Sequence, residues 1–327
     1  MAKKKSSTAI TGILIGGAAL ALVVYFVADY NFFLDFVIAG RFQPSAQMGG
    51  LIDDIELTSS GERILKASLP VLQSAEDFNK NCGNIEEDSA SLGCLADGKI
   101  YVYDIQNEEL EGIKQTVLAH ELLHAVWQRE RKSSRADLEN MLQEVYAAHR
   151  DELADHMAHY SEADMIDELH SVIGTQLNYS EMPGELADHY NKFFKNQAKI
   201  VGYYNAYNGR FTEIQNRMTE LSEKIQKMRD EIDAETKEYN REYAQLNSDI
   251  SDFNYRANNM RGAATMDEYN ELNLRRDELS ARYDALAAKI EEVNKLINEY
   301  NSDYAHAGTL YESIDSNSSK NINTIEE

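Results

Sequence analysis

The sequence predicts a mainly α-helical protein with a small β-sheet, a long antiparallel coiled-coil hairpin and one N-terminal transmembrane helix. Three observations lead to this class. Only three prolines occur in 327 residues, apolar residues follow a heptad spacing in the C-terminal half, and an almost uncharged run lies near the N-terminus. Few prolines and many Glu, Lys, Asn, Ala and Leu residues favour long helices. The net charge of −24 repels phosphate groups and argues against nucleic acid as a partner.

The apolar run at residues 9–28 predicts a transmembrane anchor, because roughly 20 apolar residues span a bilayer as a helix. The preceding residues 1–8 contain three lysines, so the positive-inside rule predicts a single-pass protein. Its N-terminus is cytoplasmic and the bulk of the chain is extracytoplasmic. A cleaved signal peptide is the alternative, but its apolar core is usually shorter and is followed by a small-residue cleavage site. Aromatic residues that suit a membrane interface follow here instead: Tyr25, Phe26, Tyr30, Phe32 and Phe33.

Residues 29–56 form a membrane-proximal connector in this interpretation, and a compact domain follows at 57–202. Thr58 or Ser59 can cap the first helix of that domain. The sequence GKIYVYDI after Asp97 is rich in strand-forming residues and predicts a β-strand. Ser161, which acidic residues follow, predicts the start of a later helix.

Cys82 and Cys94 lie close together in a polar loop. On the outer side of a membrane such a pair can oxidise, so we expect a disulfide that closes a small loop. The spacing of the two residues does not match a metal site.

A coiled-coil hairpin is predicted for residues 203–306. Apolar residues recur in alternating steps of about three and four from Ile214 to Met260 and again from Tyr269 to Tyr300, with an interruption that includes Gly262. Pairing within one chain and pairing between chains share this pattern, so the hairpin can serve a protein partner or self-association. Residues 307–327 are poor in apolar residues and predict a disordered tail.

The stretch VLAHELLHAVW contains His120, Glu121 and His124 in an H-E-x-x-H motif. Histidines four residues apart lie on one helix face and can bind one cation. Glu121, one position from His120, is placed to take a proton from a metal-activated water and pass it to a leaving amine. The apolar flanks would bury the histidines, which makes a pair of surface histidines a poor explanation because unpaired buried imidazoles are costly.

These residues resemble the zincin metallopeptidases, and the similarity extends over roughly residues 100–199. The resemblance implies a bound Zn²⁺, a peptide or protein substrate and a third metal ligand. The metzincin spacing would supply Glu130, but it needs a glycine where this chain has Trp127. The gluzincin pattern, a glutamate on a later helix with a small residue three positions on, matches Glu168 and Ser171. Its rival Glu162 lies in the first turn of that helix, where acids usually serve the helix dipole.

One departure from the gluzincin pattern concerns the residue four positions after the glutamate. It is often an aspartate that supports a ligand histidine, and here it is Val172. Zincins of this kind also use a Tyr or His after the glutamate helix to stabilise the oxyanion. The candidates are His189 and Tyr190, together with Tyr179.

The sequence therefore predicts a membrane-anchored, extracytoplasmic zinc metalloendopeptidase with Glu121 as general base and His120, His124 and Glu168 as metal ligands. The alternative is a catalytically weak or inactive envelope protein that uses a zincin scaffold as a coiled-coil adaptor. Val172 is the residue that supports this alternative. His149, His156 and His159 are assigned to a polar, acidic helix, whereas His170 is assigned to packing or to support of a ligand and His306 to solvent at the end of the hairpin.

Overall fold

The computed structural model of the protein describes residues 30–83, 92–158 and 160–317. The predicted transmembrane anchor at 9–28 lies outside these ranges, and none of the described helices is both long and apolar enough to cross a bilayer. The chain divides into two compact units. The first contains the chain up to Arg210 and again from Leu310, and the second is Phe211–Thr309.

Helices make up most of the first unit. In chain order they are α1 (Tyr30–Ala39), α2 (Ala46–Asp54), α3 (Ser59–Ala67), α4 (Ala75–Cys82), α5 (Ile113–Arg129), α6 (Lys132–Ala148), α7 (Arg150–Met157), α8 (Glu162–Gln176) and α9 (Gly184–Tyr190). Thr58 caps α3 as predicted, since its side chain accepts a hydrogen bond from the Gly61 amide. Short 3₁₀ turns occur at Glu108–Leu110 and Tyr179–Glu181.

A small three-stranded sheet lies between α3 and α5 in the chain. Its strands are β1 (Val71–Gln73), β2 (Gly93–Ala96) and β3 (Lys99–Tyr103), in the spatial order β1-β3-β2. The central strand β3 pairs in parallel with β1 and antiparallel with β2. The strand predicted in GKIYVYDI is thus confirmed as β3, and its Ile100 and Val102 are fully buried.

The predicted disulfide between Cys82 and Cys94 is present, with 6.0 Å between the two Cα atoms. Cys94 lies on strand β2, although the sequence indicated a polar loop. It is fully buried against Phe78 and Cys82. The bond therefore fastens the end of α4 to the edge strand of the sheet.

Helix α5 runs through the middle of the core, where Leu118, Leu122 and Leu123 are fully buried. The described part of the predicted connector, residues 30–56, folds as part of this unit. Met48 on α2 and the nearby Ile55 belong to the same core cluster. Burial of such apolar side chains is the main favourable term in folding, so this segment stabilises the unit rather than only linking it to an anchor.

Two long helices, α10 (Gln197–Asn259) and α11 (Met266–Ile314), form the second unit between Phe211 and Thr309. Their apolar contacts include Leu221 and Ile225 with Val293 and Leu296. Ion pairs between the helices join residues whose numbers rise along one helix as they fall along the other, which shows antiparallel pairing within one chain. These pairs are Glu235–Lys289, Glu242–Arg282, Asp249–Arg275 and Arg256–Glu268. Supercoiling of the two helices stays a prediction.

The predicted disorder from residue 307 is wrong for residues 307–317, the part of that segment that the structure describes. Helix α11 continues to Ile314, and Leu310 is fully buried. Asn79 donates its side-chain amide to the Ser316 carbonyl at 2.7 Å, and the Ser316 hydroxyl donates to the Asn79 amide oxygen at 2.8 Å. Because these contacts satisfy the polar groups of a Ser/Asn-rich stretch, composition alone misjudges it.

Candidate metal centre

The metal-ligand candidates His120 and His124 lie near the middle of α5. The helix continues without a break past Trp127 to Arg129, and Glu130 serves as its C-cap with an extended backbone. The sharp turn that the metzincin spacing needs is therefore absent at Trp127. Glu130 has its carboxylate oxygen Oε1 3.8 Å from His189 Nδ1.

Helix α8 packs closely on α5 because small residues line the contact. A Cβ atom added to Gly174 would lie 2.5 Å from Leu123 Cδ1 and 2.6 Å from Tyr190 Cε1. Such distances leave no room for a side chain, so glycine permits this approach. Ser171, one turn earlier, is fully buried. This packing brings Glu168 on α8 to the histidines of α5.

The three predicted ligands converge. The His120 and His124 Nε2 atoms are 3.0 Å apart, and the Glu168 carboxylate lies 3.5 Å from the first and 3.4 Å from the second. Their ligand atoms all lie within 4.8 Å of one another, the one such group of three among the described residues. Two imidazoles and one carboxylate are a donor set that Zn²⁺ accepts at catalytic sites, with a fourth position left for water or substrate.

Asp167 supplies the support that the sequence did not place. Its Oδ1 lies 2.8 Å from His124 Nδ1 and leaves Nε2 of that ring for a metal. Val172, where an aspartate is often found, is fully buried in the apolar core instead. Burial alone would lower the pKa of His124, but hydrogen bonds to Asp167 and Glu168 raise that pKa well above its usual value.

His156 is a second residue that the sequence interpretation missed. Its Nε2 atom lies 2.8 Å from Glu168 Oε1, and its side chain is 44% exposed, so it reaches the cluster from the solvent side. Burial alone would raise the pKa of Glu168, but His120, His124 and His156 together lower it well below its usual value. The carboxylate is therefore charged, which is the form that binds a cation.

Glu121, the predicted general base, is buried on the same helix, beside the edge strand β2. A Cβ atom added to Gly93 would lie 2.8 Å from both Cγ and Oε1 of Glu121, and 2.5 Å from Val117 Cγ1. The strand backbone thus lies directly against the carboxylate. A side chain at position 93 would overlap the Glu121 carboxylate, so this position requires glycine.

The three oxyanion candidates are in different environments. The Tyr190 hydroxyl donates to the His170 carbonyl at 2.8 Å, and burial raises its pKa well above the usual value. His189 lies with its Nε2 2.9 Å from His170 Nε2, and burial lowers its pKa to about 4. The Tyr179 hydroxyl oxygen has no hydrogen-bond partner among the described residues, and burial raises its pKa to about 12. Tyr190 and His189 are thus engaged with His170, and an oxyanion role for any of the three stays a prediction.

The contacts of Asp167 and His156 could not be read from the linear pattern. Asp167 is adjacent to the predicted ligand, but support was expected one helical turn further on. His156 lies on a different helix, in an acidic segment that resembles a solvated surface. The proximity of both depends on how α7 and α8 pack.

No family model, no curated protein and no solved structure matches this chain. The zincin resemblance therefore stays a prediction from the sequence, and the structure shows a candidate metal site formed by His120, His124 and Glu168.

Proposed function

We propose that the protein is a zinc-dependent endopeptidase that uses Glu121 as its general base. The observation that carries this proposal is the approach of Glu168 to both histidines of the motif, from a helix more than forty residues away in the chain. A surface pair of histidines would not need a buried carboxylate, and a buried carboxylate without a cation or hydrogen bonds would be costly.

A bound zinc ion acts as a Lewis acid, polarises a peptide carbonyl and lowers the pKa of water. His120, His124 and Glu168 would hold the ion, with Asp167 and His156 fixing the orientation of two of these ligands. The Glu121 carboxylate would accept a proton from the attacking water and deliver it to the amine of the leaving peptide. Asp167 would thus support His124 in place of the aspartate that gluzincins often carry at the position of Val172.

Strand β2 is suited to hold the substrate. It lies at an edge of the described sheet, and its Gly93 backbone lies against Glu121. An extended peptide can add to such an edge through main-chain hydrogen bonds. This arrangement would position a scissile bond beside the general base without a deep side-chain pocket, so we expect recognition of the peptide backbone to dominate.

We also propose that residues 9–28 anchor the protein in a membrane and that the bulk of the chain after them lies outside the cytoplasm. The disulfide supports this location, because disulfides persist in oxidising compartments. The paired helices of the second unit would bind a protein partner or restrict access to the site. An amine-reactive label that cannot cross membranes tests the orientation. It should modify an exposed lysine such as Lys80 in intact cells. Modification of Lys80 only after lysis would contradict the proposed orientation.

Zinc content and peptide hydrolysis test the proposal together. The purified full chain should bind one zinc ion and cleave members of a peptide pool. Glu121→Gln should keep the zinc and lose at least about a hundredfold in kcat, since a positioned general base contributes 10²–10⁴-fold. His124→Ala should lose the zinc. Bound zinc without any Glu121-dependent hydrolysis would refute the peptidase activity.

The third ligand has its own test. Glu168→Ala should lower the affinity for zinc as severely as His124→Ala, because it removes one of three protein ligands. Glu130→Ala is the matched control, since it removes the glutamate at the metzincin position and should retain the metal. Unchanged zinc affinity in Glu168→Ala would refute the assignment.

A further inference from the structure

Helix α1 exposes three aromatic side chains on the surface of the first unit. Phe32, Phe33 and Phe36 are 51%, 50% and 65% exposed. Residues separated by three or four positions lie on one face of a helix, so the three rings form a single patch. Single exposed apolar residues are ordinary, but a contiguous aromatic patch indicates a surface that something covers.

A buried residue of α1 joins this helix to the one that carries the metal ligands. Asp35 is buried and accepts two hydrogen bonds from the Arg129 guanidinium, at 2.8 Å from Nε and 3.0 Å from Nη2. Arg129 lies in the last turn of α5 and also donates to the Ala125 carbonyl at 2.9 Å. A bidentate pair fixes direction as well as distance. The pair therefore fixes how α1, with its exposed rings, lies against the end of α5.

The position of the patch in the chain indicates what covers it. The predicted anchor ends at residue 28, so Phe36 is tethered within at most about 29 Å of the end of the span, even for an extended chain. Basic groups accompany the rings. The Arg63 guanidinium lies 4.2 Å from the centre of the Phe32 ring, and Arg41 is exposed just after α1. Aromatic rings with neighbouring arginines suit the headgroup region of a bilayer, where the rings contact the acyl boundary and the guanidinium groups contact phosphates.

We propose that the aromatic face of α1 lies in the headgroup region of the lipid bilayer and that the Asp35–Arg129 pair thereby holds α5 close to the membrane surface. This inference rests on the anchor in the proposed function. His124 lies five residues before Arg129, which is about 8 Å along the helix. The candidate site would then act on polypeptide segments that lie near the membrane, and segments far from the bilayer would be poor substrates.

A single fluorescent label tests this placement. The chain has two cysteines and both are in the disulfide, so Phe36→Cys gives the full-length protein one reactive thiol. The labelled protein is reconstituted in phospholipid vesicles with and without a lipid that carries a nitroxide quencher near the headgroup. Glu76→Cys, at an exposed position on α4, is the control. We expect at least twofold quenching and a blue-shifted emission at position 36, and neither effect at position 76.

The outcomes separate this inference from the proposed function. A chain that floats with the vesicles, but whose label at position 36 behaves like the one at position 76, overturns the inference and leaves the anchor intact. A chain that does not float overturns both. A blue-shifted but unquenched label, together with 36-to-36 disulfide crosslinks in the unlabelled Phe36→Cys protein, would show that a second copy covers the patch, which also overturns the inference. Zinc content and hydrolysis, measured on the same samples, report on the peptidase separately.

Discussion

Two adjacent carboxylates on α8 take different parts in the candidate site. Glu168 lies against both histidines, whereas Asp167 binds the far side of the His124 ring. Consecutive helix positions differ by about 100° in direction, so one residue can face the cluster while its neighbour contacts a ligand from behind. The pair therefore supplies both a metal ligand and the group that orients another ligand.

Removing the Asp167 carboxylate should weaken zinc binding without abolishing it. Asp167→Ala leaves His124 free to rotate and removes the acceptor for its Nδ1–H, so we expect the Kd for zinc to rise 10–100-fold. Asp167→Asn is the matched control, because its amide oxygen can still accept this hydrogen bond, and its Kd should change by less. A competition titration with a chromophoric chelator measures both, and equal affinities for the Ala variant and the parent would contradict the role.

The pH dependence should differ between the metal-free and zinc-bound protein. The pKa of His124 is raised in the fold, so its charged form stabilises the metal-free protein below the unfolded pKa of about 6.5, and this contribution is lost as pH rises through the folded pKa. A metal ligand must be neutral, so zinc affinity should increase over the same interval.

Thermal unfolding and zinc Kd measured from pH 6 to 9 check these opposite trends. Asp167→Asn should reduce the pH dependence of both quantities, because it removes a carboxylate that raises the His124 pKa. A zinc Kd that does not change with pH would show that His124 is not a ligand whose proton the metal displaces.

At the scale of elements, the approach of β2 to α5 depends on one glycine. Gly93→Ala would place a methyl group within 2.8 Å of Glu121 and 2.5 Å of Val117. We expect a loss of about 1–3 kcal/mol in stability, as for other overpacked positions, and a lower kcat because Glu121 is displaced.

Gly184→Ala provides the control, since a Cβ atom there meets nothing within 4 Å. Differential scanning calorimetry and the peptide assay measure both variants. Parent-like stability and kcat in Gly93→Ala would mean that the strand and helix separate easily and that the close approach has no catalytic consequence.

How well each element could be predicted depends on its length. Strand β3 has five residues with a clear run of β-formers, and the helix around H-E-x-x-H has a long apolar face, so both were predicted. Strands β1 and β2 have three and four residues. An alternating pattern cannot be recognised over so few positions, and their pairing with β3 is a tertiary effect.

Dependence on tertiary packing also explains why the sequence did not predict the contacts of His156 and Asp167. The spacing of His120 and His124 is local and follows from helix geometry, and Glu168 followed from a resemblance to a known pattern. The contacts of His156 and Asp167, by contrast, depend on the packing of separate helices. No short-range spacing encodes such contacts.

For the whole molecule, the division into two units predicts that the metal site does not need the paired helices. All three ligands and their supports, Asp167 and His156, lie before Arg210. The ion pair between Arg217 and Asp303, at 2.9 Å, shows that the two helices lie side by side near this boundary. A short Gly/Ser linker from Arg210 to Leu310 should therefore replace residues 211–309.

The shortened protein should bind zinc with the same stoichiometry and a Kd within about threefold of the parent. A parent-sized linker variant with scrambled residues 211–309 distinguishes loss of the pairing from loss of length. If the deletion abolished zinc binding while the far-ultraviolet circular dichroism spectrum still showed the remaining helices, the site would depend on the second unit.

The return of the chain to the first unit has a consequence for the order in which the protein is made. The bonds between Asn79 and Ser316 join residues 237 positions apart. At 5–20 residues per second, roughly 10 to 50 seconds of synthesis separate the two. During this interval the first unit lacks its last segment, and about half of the delay comes from translating the two long helices, which have 63 and 49 residues. The last described residues to be synthesised are thus the ones that complete a unit begun near the start of the chain.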